Sequence, residues 1–376
     1  MMNINMEQYL KDLEYIVNID SGTTCVEGIE QVSCFLKGKY EQEGFQVKEY
    51  VFDQEFGPCI EARNKPEADH IDLLLIGHMD TVFPKGTALE RPFRMEDGKA
   101  YGPGVADMKS GDLMAVVLAR CLNREFPDIS ICIAHNCDEE YGSPSSRQWL
   151  NELGKISSYC LDFEPGRTDG SFVKTRKGVC KLVITMKGKS AHAGVNPDEG
   201  ASAILEMSRW VCEFTGKTRF NGARVNFGVM KGGTVYNMVP DFAQCDVDIR
   251  FDTWEALYAV FQEFEGRAKN PFTDNIQIEI EKKAFTPPMT TNESSVALMK
   301  IFEEEAEKIG QKANFVGTGG GSDASAISDV GVATIDSCGP IGFNTHNQGE
   351  YIILDSIQER YSLLYRVCVR LFAEKD

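Results

Sequence analysis

No stretch of this 376-residue chain approaches the ~18 consecutive apolar residues that a membrane-spanning helix requires. The amino-terminal MMNINMEQYLKDLEYIVNID has no basic segment followed by an apolar one, so it reads as an amphipathic helix rather than a secretion signal. Among the twelve cysteines there is no CxxC pair, which removes the usual redox and zinc-ribbon spacings. Several, such as Cys132 in ISICIA and Cys180 in GVCKLVITM, sit inside apolar runs. They read as small buried hydrophobes of a reducing, cytoplasmic protein rather than a disulfide framework. Positive charge is also scarce. Lys and Arg number 39 against 57 Asp and Glu, a formal net charge of −18, which disfavours nucleic acid and anionic membranes as partners. Internal repeats and low-complexity tracts are missing too.

What the chain does contain is an alternation of helix and strand signals. A helical stretch covers residues 28–43, strand-like runs follow at 46–52, 71–76 and 129–134, and SGDLMAVVLARCLNREF supplies an apolar helix between the last two. Such alternation predicts an α/β domain, a mostly parallel sheet flanked by helices, with ligands beyond the carboxyl ends of the strands. The middle differs. A strand at 179–187, a helix at 198–214, strands at 223–231 and 242–251, a helix at 253–269 and a strand at 276–282 follow the β-α-β-β-α-β order of a ferredoxin-like α+β domain. Ala203, Met207, Trp210 and Phe214 share one face of the first helix. The Pro-rich AFTPPM marks the return. We therefore expect a first domain over 1–177 and 287–376, with an inserted domain over 178–286. Gly178 and Pro287 are candidate hinges. The second part of the first domain holds helices at 294–309 and 356–375 around a Gly-rich loop and a strand near 331–337.

Chemistry gathers where strands end. GHMDTVFPKG places His78 and Asp80 two residues apart directly after the apolar run IDLLLI, so an imidazole and a carboxylate that can fix its tautomer come from one segment. YGPGVADMKSG brings Asp107 to the start of a helix, where Asp107 or Ser110 could instead serve as its cap. CDEEYGS sets Asp138, Glu139 and Glu140 after the strand ISICIAHN, and such a row repels itself unless cations neutralise it. LDFEPGR adds Glu164, and FNTHNQGEY adds His346. Two imidazoles and three carboxylates suit two divalent ions of the zinc type, with one carboxylate bridging. Ions ~3.5–4 Å apart lower the pKa of a shared water and polarise a carbonyl. Glu139, beside a ligand but left over, is then placed to act as general base. His135 lies apart from this set and reads as a packed histidine.

In order along the chain, GHMDTVFPKG, PFRMEDGKAYGPGVADMKSG, DEEYGS, FEPGR, GKSAHAG, GTGGGSDAS and THNQGEY resemble the di-zinc metallopeptidase family of aminoacylase and carboxypeptidase type, closest to its glutamate carboxypeptidase branch. The resemblance spans nearly the whole chain. It implies Asp107 as the bridging ligand, His78 and Glu164 on one zinc, Glu140 and His346 on the other, Asp80 behind His78, and Glu139 as the base. It also implies a cis peptide between Asp107 and Met108. Cobalt or manganese could replace zinc. The inserted domain resembles the family's lid and dimerisation domain, which implies a homodimer. His192 in GKSAHAG matches a residue that contacts the substrate carbonyl. Asn237, Arg250 and the loop 317–322, including Gly319, Gly320 and Gly321, match residues around the substrate carboxylate. One departure concerns IEKKAFTPP, where Lys282 and Lys283 stand in place of the relatives' Arg, a point charge instead of a fork. The resemblance implies hydrolysis of an amide bond next to a free carboxylate, in a short peptide or N-acyl amino acid. The alternatives are a deacylase or desuccinylase of N-acyl amino acids, and an inactive metal- or peptide-binding protein on the same fold.

Overall fold

The structure, a computed structural model, describes residues 4–215 and 220–373. The predicted end of the last helix at Lys375 lies outside them. The chain separates into two compact units: Met1–Thr175 with Met289–Thr318 and Ser322–Asp376, and Arg176–Pro288 with Gly319–Gly321.

The first unit is built on a six-stranded sheet in the order Gln46–Tyr50, Cys59–Arg63, Ile131–Asn136, Ile71–His78, Ser157–Asp162 and Ala333–Ile335. The last four strands run parallel. The first two add an antiparallel hairpin at one edge. Leu73, Leu75, Ile131 and Ile133 are buried on one side of this sheet, beneath the helix Ser110–Glu125 and the last helix, Leu354–Phe372. Leu74, Ile76, Cys132 and Cys160 are buried on the other side, with Leu150, Leu153 and Ile327. Burial on both faces is why these strands read as continuous apolar runs rather than as an alternation.

The parallel order brings three strand ends to one edge. His78 pairs in register with Asn136, and Ile76 with Asp162, so the segments leaving these neighbouring strands emerge side by side. A second, four-stranded sheet joins Gly342–Phe343, Tyr351–Ile353, Lys99–Tyr101 and Arg94–Glu96. It ties the loop before the helix Ser110–Glu125 to the loop carrying His346.

The second unit has four antiparallel strands in the order Ala223–Gly232, Phe242–Phe251, Gly178–Lys187 and Gln277–Thr286, with the helices Ala203–Phe214 and Trp254–Lys269. Met207, Trp210, Phe214, Val260 and Phe264 share one core with Ile184 and Val247. The first of these helices starts five residues later than its apolar pattern predicts. The reason is local: a short 3-10 turn, Pro197–Glu199, ends at Gly200, and the Ser202 hydroxyl then caps the helix by accepting from the Leu205 N–H. All twelve cysteines are free thiols and most are buried. Among the described residues no helix is long and apolar enough to cross a membrane.

Candidate metal centre

His78 ends the buried strand Ile71–His78 and is itself buried. Its Nδ1 lies 3.0 Å from the Asp80 carbonyl oxygen and 3.3 Å from the Asp80 carboxylate. Both acceptors hold the ring with Nε2 turned the other way, so the nearer support comes from the Asp80 backbone as well as its side chain. Asp80 also gathers its surroundings. Its carboxylate accepts from the Thr23 hydroxyl at 2.8 Å and from the Glu139 and Glu140 N–H groups, each at 3.2 Å. One carboxylate thereby orients the imidazole and anchors the 3-10 turn Glu139–Tyr141.

Asp107 sits between two histidines. Its Oδ1 is 3.1 Å from His78 Nε2 and its Oδ2 is 3.1 Å from His346 Nε2. Glu164 Oε1 is 3.6 Å from His78 Nε2, and Glu140 Oε2 is 3.2 Å from His346 Nε2. The peptide between Asp107 and Met108 is cis. Asp107 does not cap the helix that follows: the residue before Ser110 is in helical conformation, no side-chain cap is made, and the Ser110 carbonyl accepts from the Tyr9 hydroxyl. The capping reading of Asp107 and Ser110 is thus corrected, since the carboxylate turns to the histidines instead. At Gly111 a Cβ would lie 2.0 Å from the Phe163 carbonyl oxygen. Only a bare backbone lets the segment after Asp107 approach the one carrying Glu164.

Asp138 differs from the neighbours that share its acidic row. It is buried and accepts from the Ser145 N–H and hydroxyl, both at 2.7 Å, and from the Ser146 hydroxyl. The row of three does not act as one cluster, because hydroxyls rather than a cation satisfy its first member. His135 is fully buried between Asp112, 2.9 Å from Nδ1, and the Tyr40 hydroxyl, 2.8 Å from Nε2.

Two supporting carboxylates carried no signal in the sequence. Glu350 is buried and accepts from the backbone N–H groups of Gly104, Ala106 and Asp107 at 3.2, 2.8 and 3.0 Å, clasping the Asp107 loop to the His346 loop. Asp323 accepts from Asn136 Nδ2 at 2.6 Å and from the Ser143 hydroxyl, on either side of the Glu139–Glu140 turn. THNQGEY and GTGGGSDAS contain both residues, yet an isolated Glu or Asp in such a string is indistinguishable from a solvated one until its burial is known.

The electrostatics follow from crowding. Burial and the neighbouring carboxylates hold Glu139 well above the usual carboxylate range. Burial also raises Glu140. Asp107 is buried as well, but its two histidines overcome this and hold it low. Asp107 and Glu140 push His346 up to about 10. Ligand atoms of His78, Asp107 and Glu140 lie within 4.8 Å of one another, and so do those of His78, Glu139 and Glu164. Glu140 Oε1 is buried with no hydrogen-bond partner. Imidazole and carboxylate donors, convergent and with an unsatisfied oxygen, fit divalent cations of the zinc type.

In the second unit, His192 is exposed on a two-residue ladder with Met238. Its Nδ1 accepts from the Gly194 N–H at 3.1 Å. A neutral ring that accepts at Nδ1 carries its proton on Nε2 and can donate there. Asn237 adjoins it, its carbonyl oxygen accepting from the Ala193 N–H at 3.0 Å. Arg250 lies with the glycine loop: Nη1 is 3.3 Å from the Gly319 carbonyl oxygen, and Nε donates to Asp248 at 2.9 Å. Arg176, which drew no notice in the sequence, donates to the Gly321 carbonyl at 3.1 Å. These two arginines hold Gly319, Gly320 and Gly321 to the second unit. Lys282 stacks over Phe261, 4.3 Å from the ring centroid, and Lys283 pairs with Glu281.

Residues 74–370 match the model of peptidase family M20/M25/M40. Carboxypeptidase G2 of Pseudomonas sp. (strain RS-16) is 30% identical over 97% of this chain and 90% of its own length. Succinyl-diaminopimelate desuccinylase of Legionella pneumophila (strain Corby) is 26% identical over 80% of this chain and 84% of its own length. In fold, the chain resembles aminopeptidase PepT from Bacillus cereus, with a TM-score of 0.81 at 22% identity, covering 98% of this chain and 99% of that one. It also resembles an M20 family metallo-carboxypeptidase from Sulfolobus solfataricus, with a TM-score of 0.73 at 15% identity, covering 97% and 99%.

Proposed function

The chain belongs to peptidase family M20/M25/M40 and is a hydrolase of the metallopeptidase kind, and from that premise we propose that it cleaves an amide bond next to a free carboxylate, as a carboxypeptidase acting on short peptides or N-acyl amino acids. The observation that carries this reading is Asp107, with one carboxylate oxygen 3.1 Å from each of two imidazoles. That disposition suits a bridging ligand.

His78 and Glu164 would hold one ion and Glu140 and His346 the other, with Asp107 shared and Asp80 fixing the His78 ring. Two zinc ions, or cobalt or manganese in their place, supply Lewis-acid polarisation of a carbonyl oxygen and lower the pKa of water when bound. Glu139 takes the proton of the attacking water and returns it to the leaving amine. His192 donates from Nε2 to the carbonyl oxygen as negative charge develops there. Arg250, Asn237 and the backbone of Gly319, Gly320 and Gly321 hold the substrate carboxylate, for which a guanidinium fork is suited. The second unit serves as lid and as the surface of a homodimer. The compartment is cytoplasmic, in keeping with twelve free thiols.

Similarity to succinyl-diaminopimelate desuccinylase supports a second reading, removal of an acyl group from an N-acyl amino acid, which uses the same bond chemistry. A binder without activity has no use for Glu139. A panel of dipeptides and N-acyl amino acids, each offered as the free acid and as the α-amide, tests the proposal. Turnover of the acids with at least ~10-fold preference over the amides is expected. Equal turnover of acid and amide refutes the carboxylate requirement.

A further inference from the structure

Beside the metal centre, within the first unit, lies a cavity of about 450 Å³ that the chemistry above does not use. Its walls are the turn from Gly22 to Val26, the segment from Thr81 to Lys85, and Tyr141. It shares a boundary with the centre, because the Thr23 hydroxyl donates to the Asp80 carboxylate at 2.8 Å and Tyr141 follows Glu140 directly. The two walls are fastened together. Thr81 N–H donates to the Ser21 carbonyl at 2.8 Å and Thr23 N–H to the Thr81 carbonyl at 3.2 Å. At Gly22 a Cβ would lie 2.4 Å from the Phe83 carbonyl oxygen. The space is therefore preformed.

Its lining is mixed: Val26, Val82, Phe83, Pro84 and Tyr141 offer apolar contact among Thr23, Thr24, Thr81, Glu27 and Lys85, a combination that ligand sites use. Val82 and Tyr141 expose 40% and 60% of their surfaces. The Tyr141 ring is set edge-on to Phe56 with centroids 5.9 Å apart, so this exposed apolar surface is held in place. The charges at the rim cancel: Lys85 Nζ is 3.1 Å from Glu27 Oε2. A succinyl carboxylate would find no uncompensated cation in that pair.

We propose that this cavity receives the acyl side of the substrate, the group opposite the leaving amino acid, and selects neutral aromatic or long aliphatic acyl groups over acetyl and succinyl. The proposal rests on the amide-hydrolase reading and adds a specificity pocket to it. An acetyl methyl occupies little of such a space, whereas each further methylene buried there is worth roughly fourfold in kcat/KM.

The test compares N-acetyl, N-succinyl, N-hexanoyl and N-benzoyl derivatives of one amino acid, with the metal-loaded wild type and the variants Thr24→Trp and Val82→Trp. The wild type should prefer hexanoyl and benzoyl over acetyl and succinyl by about 10-fold or more. Either tryptophan should cut the benzoyl-to-acetyl ratio by about 10-fold. An unchanged ratio in two folded variants overturns the proposal. A second measurement needs no turnover. Cys25 lines the cavity and is partly accessible, whereas Cys34 is exposed elsewhere. In Glu139→Gln protein, a saturating N-benzoyl amino acid should slow alkylation of Cys25 several-fold relative to Cys34, and equal rates overturn the proposal. If the wild type turns over none of the four derivatives, N-acyl amino acids are not its substrates and the dipeptide panel decides the hydrolase reading, while Cys25 protection still decides whether the cavity binds the acyl group.

Discussion

In the first unit, His78, Asp80, Asp107 and Glu164 are buried, and every one of them reaches the centre from a different strand end or loop except the His78–Asp80 pair. In the second unit His192 and Asn237 are exposed, and their contacts run to residues within a few positions or to a short facing ladder. The contrast teaches how the two tasks differ. A carboxylate cluster is tolerated in a fold only where neighbouring donors and cations offset the loss of water. Asp80, Glu350 and Asp323 therefore surround it with fixed hydrogen bonds. Groups that meet a substrate must stay unsatisfied and solvated until it arrives, so little in their own unit holds their free ends.

Removing the metal should break this contrast most strongly. Chelation is expected to abolish turnover and to withdraw stabilisation that reaches about 4 kcal/mol when metal stands at 1,000 times its Kd. Hydrogen exchange should speed up around the Asp107 loop and the Glu139–Tyr141 turn and stay unchanged in the strands Gly178–Lys187 and Phe242–Phe251. Equal loosening of both units would mean that the metal is not confined to the first.

Glu139→Gln should lower kcat by about 100- to 10,000-fold while metal content, measured by mass spectrometry of the folded protein, stays at its wild-type level. In the second unit the expected effects are smaller. His192→Ala should cost about 100-fold in kcat with metal content intact, and a loss of metal would place His192 among the ligands instead. Arg250→Lys should raise KM for substrates with a free carboxylate by about 10-fold and leave kcat nearly as it was. A matching fall in kcat would show that Arg250 acts on the reacting bond.

The smallest effect separates the centre from ordinary buried charge. Glu305 is buried, yet Lys308 and Arg366, at 2.5 and 2.9 Å, outweigh its desolvation and hold its carboxyl below the usual value. A carboxylate depressed in the fold stabilises above its unfolded pKa and loses that contribution as pH falls through the folded value. Glu305→Gln should lower the melting temperature by about 2 °C at pH 7 and flatten its decline below about pH 5, with kcat/KM unaltered.

The fold was legible wherever periodicity was strong. The buried parallel strands, the helix Ser110–Glu125 and the β-α-β-β-α-β order of the second unit lie within a few residues of their predicted positions. Boundaries set by single hydrogen bonds were not legible. The Ser202 cap shortened one helix, and the predicted cap at Asp107 or Ser110 is not made, because Asp107 has histidine partners far away in sequence. The short strand Cys59–Arg63 and the arginine tethers of the glycine loop left no pattern to read.

Residue identity alone decided which side chains could ligate, take a proton or grip a carboxylate, because imidazole, carboxylate and guanidinium have fixed chemistry wherever they stand. Strand ends bounded by glycine decided roughly where along the chain those groups emerge. Only the tertiary structure decided which of them meet. Asp107 and His346 are 239 positions apart and come together because a small sheet pairs the strands Lys99–Tyr101 and Tyr351–Ile353 and Glu350 clasps the loop between. Burial, which no single residue encodes, then separated Asp138, satisfied by serines, from Glu139 and Glu140, left facing the centre.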